Sequence, residues 1–421
     1  MERKLITVAV DGNAEFTTLT AAAAAQDPAQ PLHFVLGAGT YYERPFLELA
    51  DYIITGAGMG QTVISAGAAG RDPWPGEERT GTFRSQTLFL GGGSARLEHL
   101  TVENTAGDGA DRGQALAVYA DASRVCMVDV SLHGNQDTLF TAPLPLAVRQ
   151  KNGFRGPREN TPRLDTRQYY RDCEISGNID FIFGGANAVF DHCRIVPVAH
   201  RGVTSYIAAA STPQGKPGYL FADCTVQGNS PAGSVYLGRP WRQYARVYWL
   251  DCDLSDEIIP LGWDNWSDLA NEETVHFGEY GSKGPGAPKA SPARAGYAAL
   301  NVKPPPRKCA PCWLNSGPTS VQKRNTLFAE PPIITFHLLL KKQQARTAPL
   351  YAPAGLLLSY RRFDSRKDFL MSYTKLDLLQ DLADMGLTGQ ETILIHSSMQ
   401  SIGPVDGGAD TVLDRPLQII F

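Results

Sequence analysis

Five polar residues in the middle of the chain have side chains that could together hydrolyse an ester: Gln114, Gln136, Asp137, Asp180 and Arg239. Two carboxyl groups close together push their pKa values apart, and an arginine beside one of them keeps that one ionised. The ionised carboxylate can attack a carbonyl carbon, while the protonated one gives its proton to the leaving oxygen. Carboxamide N–H groups can hold the oxyanion that develops. This set could hydrolyse an ester without a serine, a cysteine or a metal.

Two other interpretations of these residues stay open at this point. Paired carboxylates also hydrolyse glycosidic bonds, although that reaction develops no oxyanion for the glutamines to stabilise. The same residues could also form a structural ladder of Asn, Asp and Gln at one corner of a repetitive fold.

A weak repeat over the first 280 residues predicts the fold that positions these side chains. Apolar residues recur at the first, fourth and sixth positions of a short unit, and turn residues separate the units. The units are Leu97/Leu100/Val102, Val125/Val128/Val130, Tyr170/Cys173/Ile175, Phe190/Cys193/Ile195, Phe221/Cys224/Val226 and Trp249/Cys252/Leu254. One strand motif per irregular period, without helical periodicity between, indicates an all-β solenoid, a parallel β-helix. A β-sandwich is the rival, but hairpin signals are scarce.

Within this repeat, the two aspartates are predicted to be neighbours. Asp137 lies nine residues after Val128, and Asp180 lies seven after Cys173, which places both at one corner of successive coils. Adjacent coils are about 4.8 Å apart. Gln114 and Arg239 precede their inward residues by similar offsets, so we expect both on the strand that faces this corner. The Pro- and Arg-rich segment 141–166 is predicted to be an inserted loop.

Four cysteines fall at the inward position of successive coils, and we predict a column of buried, reduced thiols: Cys173, Cys193, Cys224 and Cys252. No histidine recurs in register to complete a zinc site, so we expect no bound metal. A lone CxxC, Cys309 to Cys312, has neither a βαβ context nor a second pair and is interpreted as structural or accidental.

Composition excludes several classes of function. The 421 residues carry 39 Lys+Arg against 43 Asp+Glu, which argues against nucleic-acid or anionic-membrane binding. No apolar run approaches the roughly 18 residues of a membrane helix. The N-terminus shows no signal peptide, so we expect either a cytoplasmic protein or an incomplete N-terminus.

The pattern of short apolar strands and turn residues ends near residue 281, and we predict that the chain has three parts. Residues 1–290 form the β-helix, 291–370 are a Gly/Pro-rich and irregular linker, and 371–421 are a short α/β fragment. In the fragment, an apolar stripe from Leu376 to Met385 predicts a helix, and Thr392 to Ile395 a strand.

Seven segments in order carry a resemblance to a known family: GTYYE at 39–43, GQALA at 113–117, GNQDTL at 134–139, DFIFG at 180–184, LGRPW at 237–241, GW at 262–263 and GEY at 278–280. From about Leu5 to Ala287 the chain resembles the pectinesterases (pectin methylesterases). The resemblance implies a right-handed parallel β-helix of the pectin-lyase-like type. It also implies a carboxylic ester hydrolase that removes methyl esters from the galacturonate units of pectin, giving pectate and methanol.

Carried over position by position, the resemblance implies a role for each of the five polar residues. Asp180 would be the nucleophile, and Asp137 the acid that releases methanol and then the base that activates water. Gln114 and Gln136 would form the oxyanion hole, and Arg239 would hold Asp180 ionised and in place.

The resemblance further implies how pectin, the expected partner, would be bound. Gln114 and Arg239 would also contact the substrate, Trp241 would pack against a sugar face, and Thr82 falls at a substrate-binding threonine. Core packing is the alternative for Trp241. No cofactor is implied, we expect a monomer, and members of the family are usually secreted.

Residues 373–414 resemble a different family, through IHSS at 395–398, SIG at 401–403 and GGADT at 407–411. They are similar to the amino-terminal part of the aminoglycoside 3-N-acetyltransferases. The catalytic half of that family has no counterpart here, so we expect this fragment to be non-functional.

Two rivals to the esterase remain. A β-helical lyase or glycosidase would cut the sugar chain, and a non-catalytic solenoid would bind polysaccharide and release nothing.

Overall fold

The computed structural model describes residues 3–202 and 204–288, together with three short strands further along the chain. It divides into two units, Met1–Thr319 and Ser320–Phe421. The helices are α1 (Leu19–Ala24) and α2 (Gly109–Arg112), with 3₁₀ turns at Thr82–Arg84 and Leu269–Glu273. The strands are β1 (Lys4–Val8), β2 (Leu32–Leu36), β3 (Gly39–Tyr42), β4 (Phe46–Thr55), β5 (Thr62–Ala66), β6 (Leu88–Asn104), β7 (Val118–Ala120), β8 (Arg124–His133), β9 (Leu139–Thr141), β10 (Arg167–Arg171), β11 (Glu174–Gly177), β12 (Ile179–Gly184), β13 (Asn187–Asp191), β14 (Arg194–Pro197), β15 (Ser205–Ala210), β16 (Tyr219–Ala222), β17 (Thr225–Val226), β18 (Val235–Pro240), β19 (Arg246–Leu250), β20 (Asp253–Leu254), β21 (His276–Tyr280), β22 (Ala293–Ala295), β23 (Thr392–Leu394) and β24 (Gln418–Ile420).

In the first unit, strands of successive coils pair in parallel along three faces, and the long strands β6 and β8 bend from one face to the next. The first face carries β1, β2, β4, β6, β8, β10, β13, β16, β19 and β21. The second carries β3, β5, β6, β8, β11, β14, β17 and β20. The third face, which we call the site face, carries β6, β7, β9, β12, β15 and β18. The predicted parallel β-helix is confirmed, and the sandwich is wrong.

A left-handed residue in each coil explains why the inward positions are spaced first, fourth and sixth. A positive φ near 55° occurs at six residues: His99, Asp129, Asp172, His192, Asp223 and Asp251. Each of them lies directly before an inward side chain: Leu100, Val130, Cys173, Cys193, Cys224 and Cys252. Strict alternation would send positions one and four to opposite faces. The left-handed residue shifts the inward–outward alternation by one position, so that positions one and four both point inward. Asp and His tolerate this conformation better than most residues.

The burial of the side chains corrects one unit of the predicted repeat. Val128 is only half-buried, whereas Met127, Val130 and Leu132 are fully buried and stand in register with Leu97, Leu100 and Val102. The unit therefore begins at Met127, two residues later than its valines suggested. Val125 and Val128 also fit the apolar spacing, so the sequence alone does not show that the unit starts two residues later.

The predicted column of buried thiols is confirmed for the four cysteines, none of which is more than 1% exposed or disulfide-bonded. Each sulfur lies within hydrogen-bonding distance of a main-chain carbonyl, such as that of Phe190 for Cys224. Beside this column, the first-position aromatic rings stack at centroid distances of 4.7, 4.5 and 4.0 Å: Tyr170, Phe190, Phe221 and Trp249. These two columns form part of the interior of the β-helix.

A second apolar cluster lies outside the β-helix, on the site face. Outward positions of that face stand in register across successive strands: Phe89, Tyr119, Phe140, Phe183, Ala209 and Arg239. Leu144 and Phe154 cover the aromatic members from the segment between Thr141, the end of β9, and Arg167, the start of β10. The inserted loop predicted at 141–166 is therefore present, and it packs on the face that carries the site.

The chain continues to pair beyond residue 281, where the pattern of the sequence changes. Lys283 N donates to Cys252 O, Gly286 N donates to Leu254 O, and β22 pairs antiparallel with β21 inside the predicted linker. In the second unit, β23 pairs in parallel with β24 and confirms the strand predicted at 392. The predicted helix at 376–385, the CxxC and the acetyltransferase-like motifs lie outside the described residues, and the three-part division stays a prediction. No described helix is long and apolar enough to cross a membrane.

Candidate active site

The two aspartates occupy equivalent corners of adjacent coils. Asp137 N donates to Ile179 O at 3.0 Å, and β9 and β12 pair directly, with Leu139 opposite Ile182. Both aspartates have a left-handed backbone, with φ of 66° for Asp137 and 52° for Asp180. Once the repeat is counted from Val130, each aspartate lies seven residues after its inward residue.

Gly177, three residues before Asp180, lies where there is no room for a side chain. A Cβ on Gly177 would lie 2.3 Å from the Cβ of Phe181 and 2.6 Å from the carbonyl oxygen of Asn135. The pairing of β12 with β15 then shifts register between Ile179 and Ile182, so a bulge falls at Asp180. Bulges re-aim side chains next to active sites. Here the bulge coincides with the left-handed residue that carries the carboxylate.

Arg239 holds Asp180 through two parallel hydrogen bonds. Its Nε and Nη2 donate to Oδ1 and Oδ2 of Asp180, each at 2.7 Å. The guanidinium carbon also lies 3.7 Å from the ring centroid of Tyr206 and 3.9 Å from that of Trp266. A bidentate ion pair clamped by two aromatic rings fixes the carboxylate in orientation as well as in charge.

The expectation that Gln114 and Arg239 occupy a facing strand is wrong. Arg239 lies on β18, in the same face as Asp180 on β12, with β15 between them. Gln114 precedes β7 at the edge of that same face, just after α2. The loops of these coils differ in length, so similar offsets along the sequence do not correspond to equivalent positions in the coils.

The two glutamines lie one above the other on adjacent coils, since Ala115 N donates to Gln136 O at 3.1 Å. Both side chains are half-buried, and neither carboxamide forms a hydrogen bond with another described residue. Glycines make room for them. A Cβ on Gly109 would lie 2.4 Å from Oε1 of Gln136, and one on Gly70 would lie 3.3 Å from Oε1 of Gln114. Their N–H groups are available to a ligand.

Burial and neighbouring charges give the two carboxyl groups different pKa values. Asp137 is 8% exposed and Asp180 is 7% exposed. Burial, followed by the charge of Asp180, raises the pKa of Asp137 well above its ordinary value, and the charge of Arg239 opposes this only in part. Burial also raises the pKa of Asp180, but the charge and hydrogen bonds of Arg239 restrain the rise. Arg239 therefore acts on Asp180 in the expected direction, with burial opposing it, and Asp137 holds its proton to higher pH.

Trp241 and Thr82 lie next to the outer aromatic cluster on the same face as Asp180. Trp241 is half-buried, and its ring packs against Phe183, Phe83 and Phe154 of the outer aromatic cluster, at centroid distances of 5.6, 6.5 and 6.3 Å. Thr82 begins the 3₁₀ turn that carries Phe83 and is half-exposed. Core packing therefore applies to Trp241, and the contact of its ring with a sugar stays a prediction.

Three neighbours of Arg239 escaped sequence analysis: Tyr206, Asp264 and Trp266. Asp264 Oδ1 accepts a hydrogen bond from Trp266 N at 2.7 Å, in a turn where Trp266 has a φ of 61°. The negative charge of Asp264 also raises the pKa of Asp180. Outward alternation along β15 could have marked Tyr206, but the loop that carries Asp264 and Trp266 belongs to no repeat.

One group with metal-ligating side chains lies away from this site, at the β13 corner: Asp191, His192 and Asp223. Its members already have protein partners. The hydroxyl of Tyr169 donates to Asp191 Oδ2 at 2.5 Å, and His192 Nδ1 lies 2.8 Å from Asp191 Oδ1. The chemistry described above draws on no member of this group.

A model of the pectinesterase family matches residues 5–150 and 146–304. The chain belongs to the pectinesterase family. A pectinesterase/pectinesterase inhibitor of Prunus persica is 32% identical over 311 residues, covering 70% of this chain and 53% of that protein. The chain thus spans about half the length of the curated pectinesterases it matches.

Solved pectin methylesterases share the fold. The enzyme from carrot has 25% identity and a TM-score of 0.56, covering 68% of this chain and 84% of that one. A pectin methylesterase solved in complex with a hexasaccharide has 24% identity and a TM-score of 0.55, covering 69% and 92%. Nothing in these comparisons supports the cytoplasmic location considered from the N-terminus.

Proposed function

We propose that this pectinesterase-family chain hydrolyses the methyl esters of galacturonate units in pectin, giving pectate and methanol. Family membership supports the reaction class, and the observation that carries it is the bidentate Asp180–Arg239 pair beside the buried Asp137. One carboxylate is oriented and charged, and its neighbour retains a proton. Two half-exposed carboxamides on the same face complete the equipment for acyl transfer.

In the first half of the reaction, a carboxylate oxygen of Asp180 attacks the ester carbonyl carbon. The N–H groups of Gln114 and Gln136 stabilise the oxyanion of the tetrahedral intermediate. As the intermediate collapses, the bond to the methoxy oxygen breaks, and Asp137 gives that oxygen its proton. Methanol leaves, and the galacturonyl group stays bound to Asp180 as a mixed anhydride.

In the second half, the roles of the same groups reverse. Asp137, now ionised, takes a proton from water, and the water oxygen attacks the galacturonyl carbon. The bond to Asp180 breaks, which returns its carboxylate to Arg239, and Asp137 is protonated again. Because the guanidinium is clamped between two rings, it can hold Asp180 at the same place through both steps.

Substrate contacts are assigned to the surface around this centre. We assign a contact with a sugar face to the exposed portion of the Trp241 ring, and a contact with the polymer to the Thr82 hydroxyl. Gln114 and Arg239 complete the substrate contacts. We expect neither a cofactor nor a metal, we expect no nucleic-acid or membrane partner, and we expect a monomer.

The test measures methanol and polymer length together, using highly methylated pectin. Methanol release at constant polymer length supports the esterase, and shortening of the chain without methanol would instead identify a lyase or glycosidase. Binding of pectin with neither product would identify a non-catalytic solenoid. Arg194→Ala serves as a control that should retain activity, since Arg194 pairs with Glu174 on the second face and not on the face that carries Asp180.

A further inference from the structure

A tryptophan in an unfavourable backbone conformation lies against Arg239. Trp266 is left-handed, with a φ of 61°, and the next residue, Ser267, has a φ of 56°. For a bulky side chain this conformation is an outlier, and it persists only where the surrounding structure enforces it. The ring centroid of Trp266 lies 3.9 Å from the guanidinium carbon of Arg239. Whatever enforces the left-handed turn therefore determines where the ring meets the guanidinium.

The main chain just before this turn is fixed against β18, beside Arg239. Trp263 forms a parallel bridge with Gly238, the residue before Arg239, and the buried ring of Trp263 stacks on Phe277 at a centroid distance of 4.8 Å. Asp264 N donates to Gly238 O at 3.2 Å. The path of the chain is thus set as far as Asp264, and the place of the Trp266 ring depends on the turn that follows.

The side chain of Asp264 closes that turn. Its Oδ1 accepts a hydrogen bond from Trp266 N at 2.7 Å. Aspartate side chains that bond to the main chain two residues later stabilise turns in this way. Asp264 is half-buried and also acts by its charge. Burial raises the pKa of Asp180, Arg239 lowers it, and the negative charge of Asp264 adds to the rise.

We propose that Asp264 is a positioning residue for the reaction: its hydrogen bond to Trp266 N holds the Trp266 ring against Arg239, which in turn keeps the carboxylate of Asp180 aimed at the ester. This inference rests on the proposed function. A bidentate pair orients a carboxylate only if the guanidinium itself is held, and the stem of an arginine side chain is flexible. Asp264 acts through Trp266 and Arg239.

Two substitutions of Asp264 separate its hydrogen bond from its charge. In Asp264→Asn, the amide oxygen can still accept from Trp266 N, but the negative charge is gone. Asp264→Ala removes both. A side chain that acts through the turn is therefore replaced well by asparagine and poorly by alanine, whereas a side chain that acts by charge alone is replaced equally badly by both.

The experiment measures kcat and KM from methanol release by the full chain, with highly methylated pectin. Asp264→Ala should lower kcat by about 10- to 100-fold, because a small misplacement of a reacting group is costly. KM should change less than kcat, because the loss falls on the attack by Asp180. Asp264→Asn should recover most of the lost kcat at the pH where the wild type is most active.

The pH profile of Asp264→Asn provides a second readout that a merely structural role would not move. Asp180 must be ionised to attack, and the charged or titratable groups that act with it are Arg239, Asp137 and Asp264. Removing the charge of Asp264 lowers the pKa of Asp180. The acid limb of the kcat/KM profile should therefore move to lower pH in Asp264→Asn.

Asp268→Ala is the matched control, because it removes the same kind of bond from the same loop. Asp268 is exposed, and its Oδ1 accepts from Ala270 N at 3.1 Å. This variant should keep the wild-type kcat and pH profile. A double-mutant cycle supplies the link to the ring, since Asp264→Ala should lower kcat little further in a Trp266→Ala background.

The positioning role is overturned if Asp264→Ala folds and keeps the wild-type kcat, if Asp264→Asn loses as much kcat as Asp264→Ala, or if the losses from Asp264→Ala and Trp266→Ala add in full. If Asp264→Ala does not fold, Asp264→Asn decides: a kcat near that of the wild type with a shifted acid limb supports the role, and a large loss of kcat or an unmoved limb overturns it. A wild type that releases no methanol refutes the proposed function instead.

Discussion

We expect Arg239→Ala to lower the free energy of unfolding, because it leaves the carboxylate of Asp180 buried without its cation. In the wild type, Asp180 is 7% exposed and receives both hydrogen bonds from Arg239, whose guanidinium fills the space between Tyr206 and Trp266. The alanine variant leaves a buried carboxylate without its cation. Breaking a buried ion pair in this way costs about 3–5 kcal/mol of the free energy of unfolding.

The cost should depend on pH in a defined direction. Without Arg239, burial acts unopposed on Asp180 and raises its folded-state pKa further above the unfolded value of about 3.9. A carboxyl with a raised folded pKa contributes stability that is present below the unfolded pKa and is lost as pH rises through the folded pKa. The deficit of Arg239→Ala relative to wild type should therefore be small near about pH 4 and reach its full size toward neutral pH.

The assay is urea unfolding of wild type, Arg239→Ala and Arg239→Ala/Asp180→Asn across that pH range. The double variant should recover stability at neutral pH, because its amide carries no charge. Arg194→Ala, which breaks a surface pair with Glu174, should cost at most about 1 kcal/mol. A deficit for Arg239→Ala that does not vary with pH, or a double variant no more stable than the single one, would refute the reasoning.

Four further outcomes are expected. Gly109→Ala should lower kcat with the fold intact, because the new Cβ displaces Gln136, while Gly278→Ala, whose Cβ meets nothing closer than 3.4 Å, should not. Asp137→Asn should lower kcat by about 10²- to 10⁴-fold. By removing a carboxyl with a raised pKa, it should also flatten the loss of stability between about pH 4 and neutrality, as urea unfolding would show. A chain ending near Val302 should keep fold and methanol release; an insoluble product would contradict this. Thiol titration of the folded protein should leave four cysteines unreactive until denaturation: Cys173, Cys193, Cys224 and Cys252.

The neighbouring positions of the two aspartates could be predicted because they depend on the repeat alone. Asp137 and Asp180 fall at the same place in successive coils, and parallel pairing then brings them together. The unit around Val128 begins two residues later than the apolar spacing predicts, because that spacing cannot show which residue takes the left-handed conformation. Asp129 takes it, and the inward position falls on Val130.

The surroundings of Arg239 could not be predicted in the same way. Trp266 and Asp264 reach the guanidinium from a loop outside the repeat, so no offset relates them to Asp180. Tyr206 lies on the strand between those of Asp180 and Arg239, where many outward side chains would fit. Loop contacts depend on tertiary packing, whereas the corner aspartates depend on the period of the coil.

The role of Asp180 as nucleophile is the central claim, and methanol release by Asp180→Asn tests it most directly. The variant keeps the size of the side chain, and its amide is a poor nucleophile. With highly methylated pectin, under conditions where wild type turns over, Asp180→Asn should release no methanol above background while circular dichroism shows an unchanged fold. Near-normal methanol release by this variant would contradict the assignment.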